Sequence, residues 1–419
     1  MADPCVVFLM DRHNLNSVAA LSAAIETCAD LTTLPVRFVW WDRSVQHEML
    51  RLAHETVGPL WLVLSFMSPA RARIHALVQA LRSQPEIGNR LLVIAGGAHP
   101  TGAPLKVLQD GADIVVQGEG EWAFQQLLVR LQAGQSVDDI PGVCWLAEGQ
   151  VRHGPQAHPI DLEQYLPFSL KYERFAPLEI TRGCPFACHF CQTPFLHGGK
   201  VRHRSVQYLR EFVSRAITHG YDFLRFVTPN AFGYGSPDGK TIDLAKVEEL
   251  LVALGQLVPR ERIYFGTFPS EVRPESVTKE ALDLLRRHAA NDSLLFGAQT
   301  GSPRLLAALH RGHTVEDVYR ATRLTLDAGL QPIIDFIFGL PGEAAEDIRA
   351  TMRVIKDLTA MGGIIHSHTF MPLPGTPFAD AQPGKISRQY HPVLDRLSSQ
   401  GKHFGQWRKQ QAMSQRLND

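Results

Sequence analysis

Cysteine is scarce in this chain: Cys5, Cys28, Cys144, Cys184, Cys188 and Cys191 are the only six in 419 residues. Thiols this dilute exclude a disulfide scaffold and point to a reducing, cytoplasmic setting. Long hydrophobic runs are missing too. The apolar run near the start, "CVVFLM", is too short for a signal-peptide core or a membrane span, so no membrane partner is expected. Charge of one sign is also missing. Lys plus Arg is 42 and Asp plus Glu is 42, so no overall field draws the chain to nucleic acid or anionic lipid. Low-complexity tracts and short-period repeats are absent, which excludes fibrous and solenoid architectures. What is present is a 45% hydrophobic content, enough for substantial cores, in a length that suggests two or three domains.

The hydrophobic pattern predicts an α/β protein in two main parts. In residues 1–140, "CVVFLM", "VRFVW", "LWLVLSFM", "LLVIAGG" and "ADIVVQG" read as buried parallel strands separated by helical spacing. That alternation argues for a doubly wound, Rossmann-like domain with its ligand at the carboxyl ends of the strands. Residues 141–175 read as a hairpin ("PGVCWLAEGQVRHGP") followed by a proline-punctuated linker. Residues 176–385 repeat strand then helix six times, as a partial (β/α)6 barrel requires, again with chemistry at the carboxyl ends. Residues 386–419 mix aromatics with charges and are expected to form a helical cover.

Half of the cysteines crowd into "CPFACHFC", residues 184–191, directly after the first barrel strand. Thiolates at that spacing can converge on one centre. Zinc would call for a fourth ligand such as His189 or His197, whereas an iron–sulfur cubane held by three cysteines leaves one iron open. The segment resembles the CxxxCxxC signature of the radical S-adenosylmethionine (SAM) superfamily, including the aromatic Phe190 before the last cysteine. The likeness extends to "FGAQTGSPRLLAALHRGHT", "IIDFIFGLPGE" and "PLPGTP", so it spans residues 178–378. It implies that Cys184, Cys188 and Cys191 hold a 4Fe–4S cluster. The open iron then binds SAM, which an electron from a flavodoxin or ferredoxin cleaves to a 5′-deoxyadenosyl radical. By the same resemblance Phe190, Thr228, Asn230, Gln299 and Thr300 lie at the SAM site. Many relatives read Glu-Ser where this chain has Gln299-Thr300, and "TPNAF" stands where a glycine-rich segment is common.

A doubly wound domain ahead of such a barrel resembles the cobalamin-binding subgroup. The matching stretches are "SFMS", "GGAHPT" and "VVQGEGE". They imply cobalamin contacts from Ser65, Ser68, Gly96, Gly97, His99, Gly118 and Glu119. In "DRHNLNS", His13 stands where some relatives carry a lower cobalt ligand oriented by an aspartate, here Asp11, although Asn16 replaces a glycine of that pattern. An alternative reading makes this stretch a polar helix cap.

His366 and His368 alternate on the last barrel strand and share one face, which makes them candidates for substrate binding or proton transfer. Lys200, Arg202 and Arg204 could hold an anionic group, or simply lead into a helix at Ser205. The expected activity is cobalamin-dependent radical SAM methylation of an unactivated carbon in a small molecule. Rearrangement or ring formation on the same cofactors, or a sensor that never cleaves SAM, are the alternatives. Methylthio transfer is disfavoured because cysteines for a second cluster are missing.

Overall fold

The structure is a computed structural model that describes residues 3–416. The first two residues of the expected first domain and the last three of the expected cover lie outside the described residues. The chain divides into two compact units, Met1–Ala176 and Pro177–Asp419.

The first unit is built on β1 (Cys5–Met10), β2 (Val36–Trp40), β3 (Leu60–Ser65), β4 (Leu91–Gly96), β5 (Ile114–Val116), β6 (Val143–Ala147) and β7 (Gln150–His153). They form one sheet in the order β2-β1-β3-β4-β5-β6-β7. The first five strands are parallel. Both β1 and β3 are buried along their whole length, because both faces of the sheet are covered. Val7 and Leu9 face a core with helices Val45–Glu55 and Arg71–Arg82. Val6 and Phe8 face the opposite core with helices Leu15–Thr27 and Gly120–Ala133. Two apolar faces are why these strands read as unbroken hydrophobic runs. The predicted hairpin forms, but it is not a separate region: β6 pairs antiparallel with β5 and extends the first sheet. Residues 141–153 therefore belong to the first domain, and the break falls at Ala176/Pro177.

The second unit carries β8 (Leu178–Glu179), β9 (Thr181–Arg182), β10 (Arg202–His203), β11 (Leu224–Val227), β12 (Ile263–Tyr264), β13 (Ser293–Gln299), β14 (Gln331–Phe338), β15 (Ile364–Thr369) and β16 (His403–Phe404). Two parallel sheets, β12-β11-β8 and β13-β14-β15-β16, meet where Leu295 N–H donates to Gly266 O at 3.1 Å and Val272 bridges Phe296. The six expected barrel strands are all present, in sequence order. Helices return between them with polar caps; Thr314 and Asp317, for example, close a reciprocal capping box on helix Val315–Asp327.

The C-terminal segment differs from expectation. It is not only a helical cover: β16 adds a further parallel strand beside β15, between helices His391–Ser399 and Trp407–Gln415. His403 on that strand bonds Ser367 through Nε2 and Ser398 through Nδ1 (2.7 Å).

His403 in the second unit and His99 in the first are buried imidazoles, and burial lowers each from the ordinary 6.5 to about 4. The unfolded chain therefore binds protons more readily between those values, so stability is unaffected above about pH 7 and falls as pH drops from 6.5 toward 4. The loss is on the order of 3 kcal/mol per histidine once the pH is below both values. Thermal unfolding of the full chain should show Tm falling over that window, and His403→Gln should shallow the fall. A Tm that stays level down to pH 5 would contradict the assignment.

Candidate functional site

The cysteine loop begins at Gly183, whose φ of +89° and position 2.1 Å (for an added Cβ) from Lys200 O admit only glycine. Cys191 N–H donates to Cys188 O at 3.0 Å and Cys184 N–H to Gly198 O at 3.1 Å, which curls the three thiols onto one loop. Two distant segments brace it. His189 N–H donates to Leu309 O at 3.0 Å, and the His189 ring stacks on His310 and meets Phe378 edge-on. Gln192 Nε2 donates to Pro374 O at 2.8 Å, within "PLPG". His189 thus anchors the loop by its backbone bond and ring packing. Burial pushes the Cys184 and Cys191 thiols up, which an iron-bearing centre would reverse by binding them as thiolates. Arg311 Nη1 lies 3.7 Å from Cys188 Sγ, and Arg273 lies over the Phe186 ring. Three soft donors with cations beside them fit an iron–sulfur cluster.

The SAM candidates separate into two groups. Asn230 is fully engaged: Nδ2 donates to Ser276 Oγ at 3.1 Å and Oδ1 accepts from Arg273 N–H at 3.2 Å. Thr228 Oγ1 donates to Asn230 O, and Thr300 Oγ1 is shared between Thr351 Oγ1 and the Ser302 N–H. These three hold strand ends together. Gln299 is different. It is a buried non-glycine residue at φ +68°, next to a β-bulge, with its side chain folded over Gly297. Strain of that kind gathers at functional sites. Phe190 packs against Leu305, Leu309, Leu340 and Phe370. Arg204 is fully buried, with its Nε donating to Glu179 O, and Arg202 Nη2 donates to His197 O at 3.2 Å, so neither is a solvent-facing anion clamp.

Inside the second unit the structure brings together residues that sequence reading left apart. Asp335 on β14 lies opposite His366 on β15. His366 Nδ1 meets Asp335 Oδ1 at 2.7 Å, and the His368 ring is 4.3 Å from that of His366. Glu271 also reaches Asp335. Burial first, and the Asp335 charge second, raise Glu271 well above the ordinary carboxylate range. Asp335 had a legible signal, an acid inside the apolar run "PIIDFIFG".

In the first unit the strand order reverses between β1 and β3, where a sheet of this kind opens a ligand crevice. Asn14, unremarked in the sequence, pins that point: Nδ2 donates to Leu9 O at 2.8 Å and to Ser65 O at 3.2 Å. Asp11 Oδ1 accepts from the backbone N–H of His13 (2.7 Å) and Asn14 (3.0 Å). Asp11 Oδ1 therefore closes a turn ahead of helix Leu15–Thr27, whose first turn has no side-chain cap, and the His13 imidazole is exposed on that turn. The three expected loops are knitted together. Phe66 N–H donates to Gly96 O, His99 N–H to Phe66 O, and Gly118 N–H to Thr101 Oγ1. Gly97 (φ +92°) would drive an added Cβ to 2.7 Å from Ser65 Oγ and 3.0 Å from Phe66 N. His99 Nδ1 bonds Ser68 Oγ at 2.9 Å, while its buried Nε2 has no partner among the described residues. Glu119 Oε2 accepts from Ile160 N–H at 2.9 Å and so braces the linker. Leu15, Met67 and Trp122, just beyond β1, β3 and β5, are exposed apolar side chains on the carboxyl edge. A glycine cradle, an orphaned imidazole nitrogen and an apolar rim fit a bulky ring such as cobalamin.

Comparison with known proteins agrees with both halves. Residues 178–355 match the profile of the radical SAM superfamily, and residues 15–128 match the B12 binding domain. An uncharacterized methyltransferase of Pyrococcus horikoshii is 27% identical over 290 residues, covering 65% of this chain and 59% of the relative. A tRNA-2-methylthio-N(6)-dimethylallyladenosine synthase of Saccharophagus degradans is 34% identical over 212 residues, covering 48% and 43%. This chain spans 40% to 59% of the length of the first three curated relatives. Among solved structures, the radical SAM methyltransferase TsrM of Kitasatospora setae, with tryptophan substrate and a SAM analog bound, superposes with a TM-score of 0.67 at 16% identity, over 90% of this chain and 75% of that one. The cobalamin-dependent SAM radical enzyme OxsB, with aqua-cobalamin and SAM, gives 0.62 at 15% identity, over 84% and 52%. At those identities the likeness is one of fold. No described helix is long and apolar enough to cross a membrane.

Proposed function

We propose, from the premise that the chain belongs to the radical SAM superfamily and carries a B12-binding domain, that it methylates an unactivated carbon of a small molecule in the cytoplasm. The observation that carries this reading is the pairing, in one chain, of a braced three-cysteine loop with a glycine cradle beside an orphaned imidazole. When bound, the cluster supplies the electron that cleaves SAM, and cobalamin supplies the methyl carrier.

The chain's own residues have distinct tasks in this reading. Cys184, Cys188 and Cys191 hold the cluster, and Arg311 beside Cys188 offsets its negative charge. Gln299 offers its amide to SAM from a conformation that the adjacent bulge enforces. Gly97 lets the loop after β4 lie flat against a ring, Ser65, Ser68 and His99 offer polar contacts, and Gly96 and Gly118 shape the loop ends. An external flavodoxin or ferredoxin provides electrons.

Methylthio transfer, the chemistry named for the Saccharophagus relative, is not favoured. Cys5 and Cys144 are buried on two separate strands, β1 and β6. Neither is placed to ligate a second cluster.

The reading is tested by co-products. With reductant and substrate, S-adenosylhomocysteine and 5′-deoxyadenosine should form in equal amounts, and neither methylated product nor S-adenosylhomocysteine should form without cobalamin. Deoxyadenosine accompanying substrate conversion with no S-adenosylhomocysteine would replace methyl transfer by rearrangement.

A further inference from the structure

The second unit holds a cluster to which the reading above gives no task. Among the described residues, Asp335, His366 and His368 place one metal-type ligand atom each within 4.8 Å of one another. Their hydrogen bonds decide what the cluster can do. Thr369 N–H donates to Gln410 Oε1 at 2.9 Å, which fixes the orientation of that amide. Gln410 Nε2, 3.2 Å from His368 Nδ1, must then be the donor, so His368 Nδ1 accepts and the ring proton sits on Nε2, facing Asp335 Oδ2 at 3.9 Å. A metal-bound histidine does the reverse, donating its second N–H to an acceptor. His368 is therefore not set up as a metal ligand, which leaves the cluster short of three.

His366 is set up differently. Asp335, only 4% exposed, accepts from Nδ1–H at 2.7 Å, which leaves the lone pair on Nε2. That nitrogen has no hydrogen-bond partner among the described residues, and the His366 side chain is 22% exposed. Besides the polar neighbours Asp335, His368 and Gln410, an apolar wall adjoins the ring. Phe404 of β16 stacks on the imidazole at 4.4 Å. Ile333 and Ile337 share the face of Asp335, and Ile364 that of the two histidines, by strand alternation. A lone acceptor in an apolar wall selects for a ligand that brings one donor, because any ligand without it leaves the acceptor unpaired.

We propose that His366 Nε2, aimed by Asp335 and walled by Phe404, is the substrate-recognition point of this unit. Its ligand is an apolar molecule that presents one N–H or O–H. The proposal rests on the small-molecule reading above and names the class of substrate. Asp335 is a positioning residue; His366 makes the contact.

The test is a binding measurement on the full chain, with no turnover, so a failure of methyl transfer leaves it intact. Indole and phenol are titrated by ligand-observed NMR against 1-methylindole and anisole, which lack the donor. The wild type should bind each donor about tenfold more tightly than its methylated partner, the value of one buried hydrogen bond. His366→Ala, and the ring-preserving His366→Phe, should bind both members of each pair within about twofold of each other. Equal affinities in the wild type, a preference that survives in both variants, or no binding of any of the four probes would overturn the proposal.

Discussion

Replacing Cys184, Cys188 and Cys191 by Ala should abolish the visible absorbance of anaerobically reconstituted protein, with iron falling from about four per chain to background. Replacing Cys5, Cys28 and Cys144 should leave both unchanged. The two triplets differ in setting, not in chemistry. The first lies on one loop pinned by Leu309 and Pro374, and the second lies on separate elements of the first unit. Three cysteine ligands are the minimum for a site-differentiated cubane, so losing them leaves nothing for repair. Undiminished absorbance in the first triple variant would remove the cluster assignment.

Gly97→Ala should reduce cobalamin retention at least tenfold and cost on the order of 1–3 kcal/mol of stability, because the residue is held in a region that L side chains rarely adopt. The added methyl would also press on Ser65 Oγ and Phe66 N, where the loops after β3 and β4 meet. Gly134→Ala is the control. That glycine also has a positive φ, at +64°, but an added Cβ there meets nothing within 4 Å. Its variant should lose stability without losing cobalamin, as gel filtration after reconstitution would show. Equal loss of cobalamin in both variants would mean that the effect is one of folding and not of the cradle.

Much of this architecture was legible because it is written in continuous hydrophobic runs. All five parallel strands of the first sheet and the six barrel strands lie where their apolar runs place them. The cysteine loop was legible from spacing alone. What escaped depends on adjacency in space. β16 is a two-residue strand with a histidine in it, too short and too polar to carry a pattern. The hairpin was visible, but its attachment to β5 was not, since a hairpin pairs with itself whatever lies beside it. Asn14 matters only because β1 and β3 are neighbours, a fact of strand order. The turn at Asp11 was hidden for a related reason: that its Oδ1 accepts from the main-chain N–H groups of His13 and Asn14 is a fact of loop geometry, not of spacing. His366 and His368 were noticed, whereas the carboxylate that gives His366 its direction lies on the neighbouring strand in register.

The central claim is that this one chain moves a methyl group from SAM to carbon with cobalamin as the carrier. SAM bearing a CD3 group, given with reductant and cobalamin to the full chain in a metabolite extract, tests it most directly by mass spectrometry. The account predicts a product heavier than its precursor by one intact CD3 in place of hydrogen. That product should be absent when cobalamin is withheld and absent with the Cys184/Cys188/Cys191→Ala protein. A labelled product that forms equally well without cobalamin, or with the cysteines removed, would contradict it.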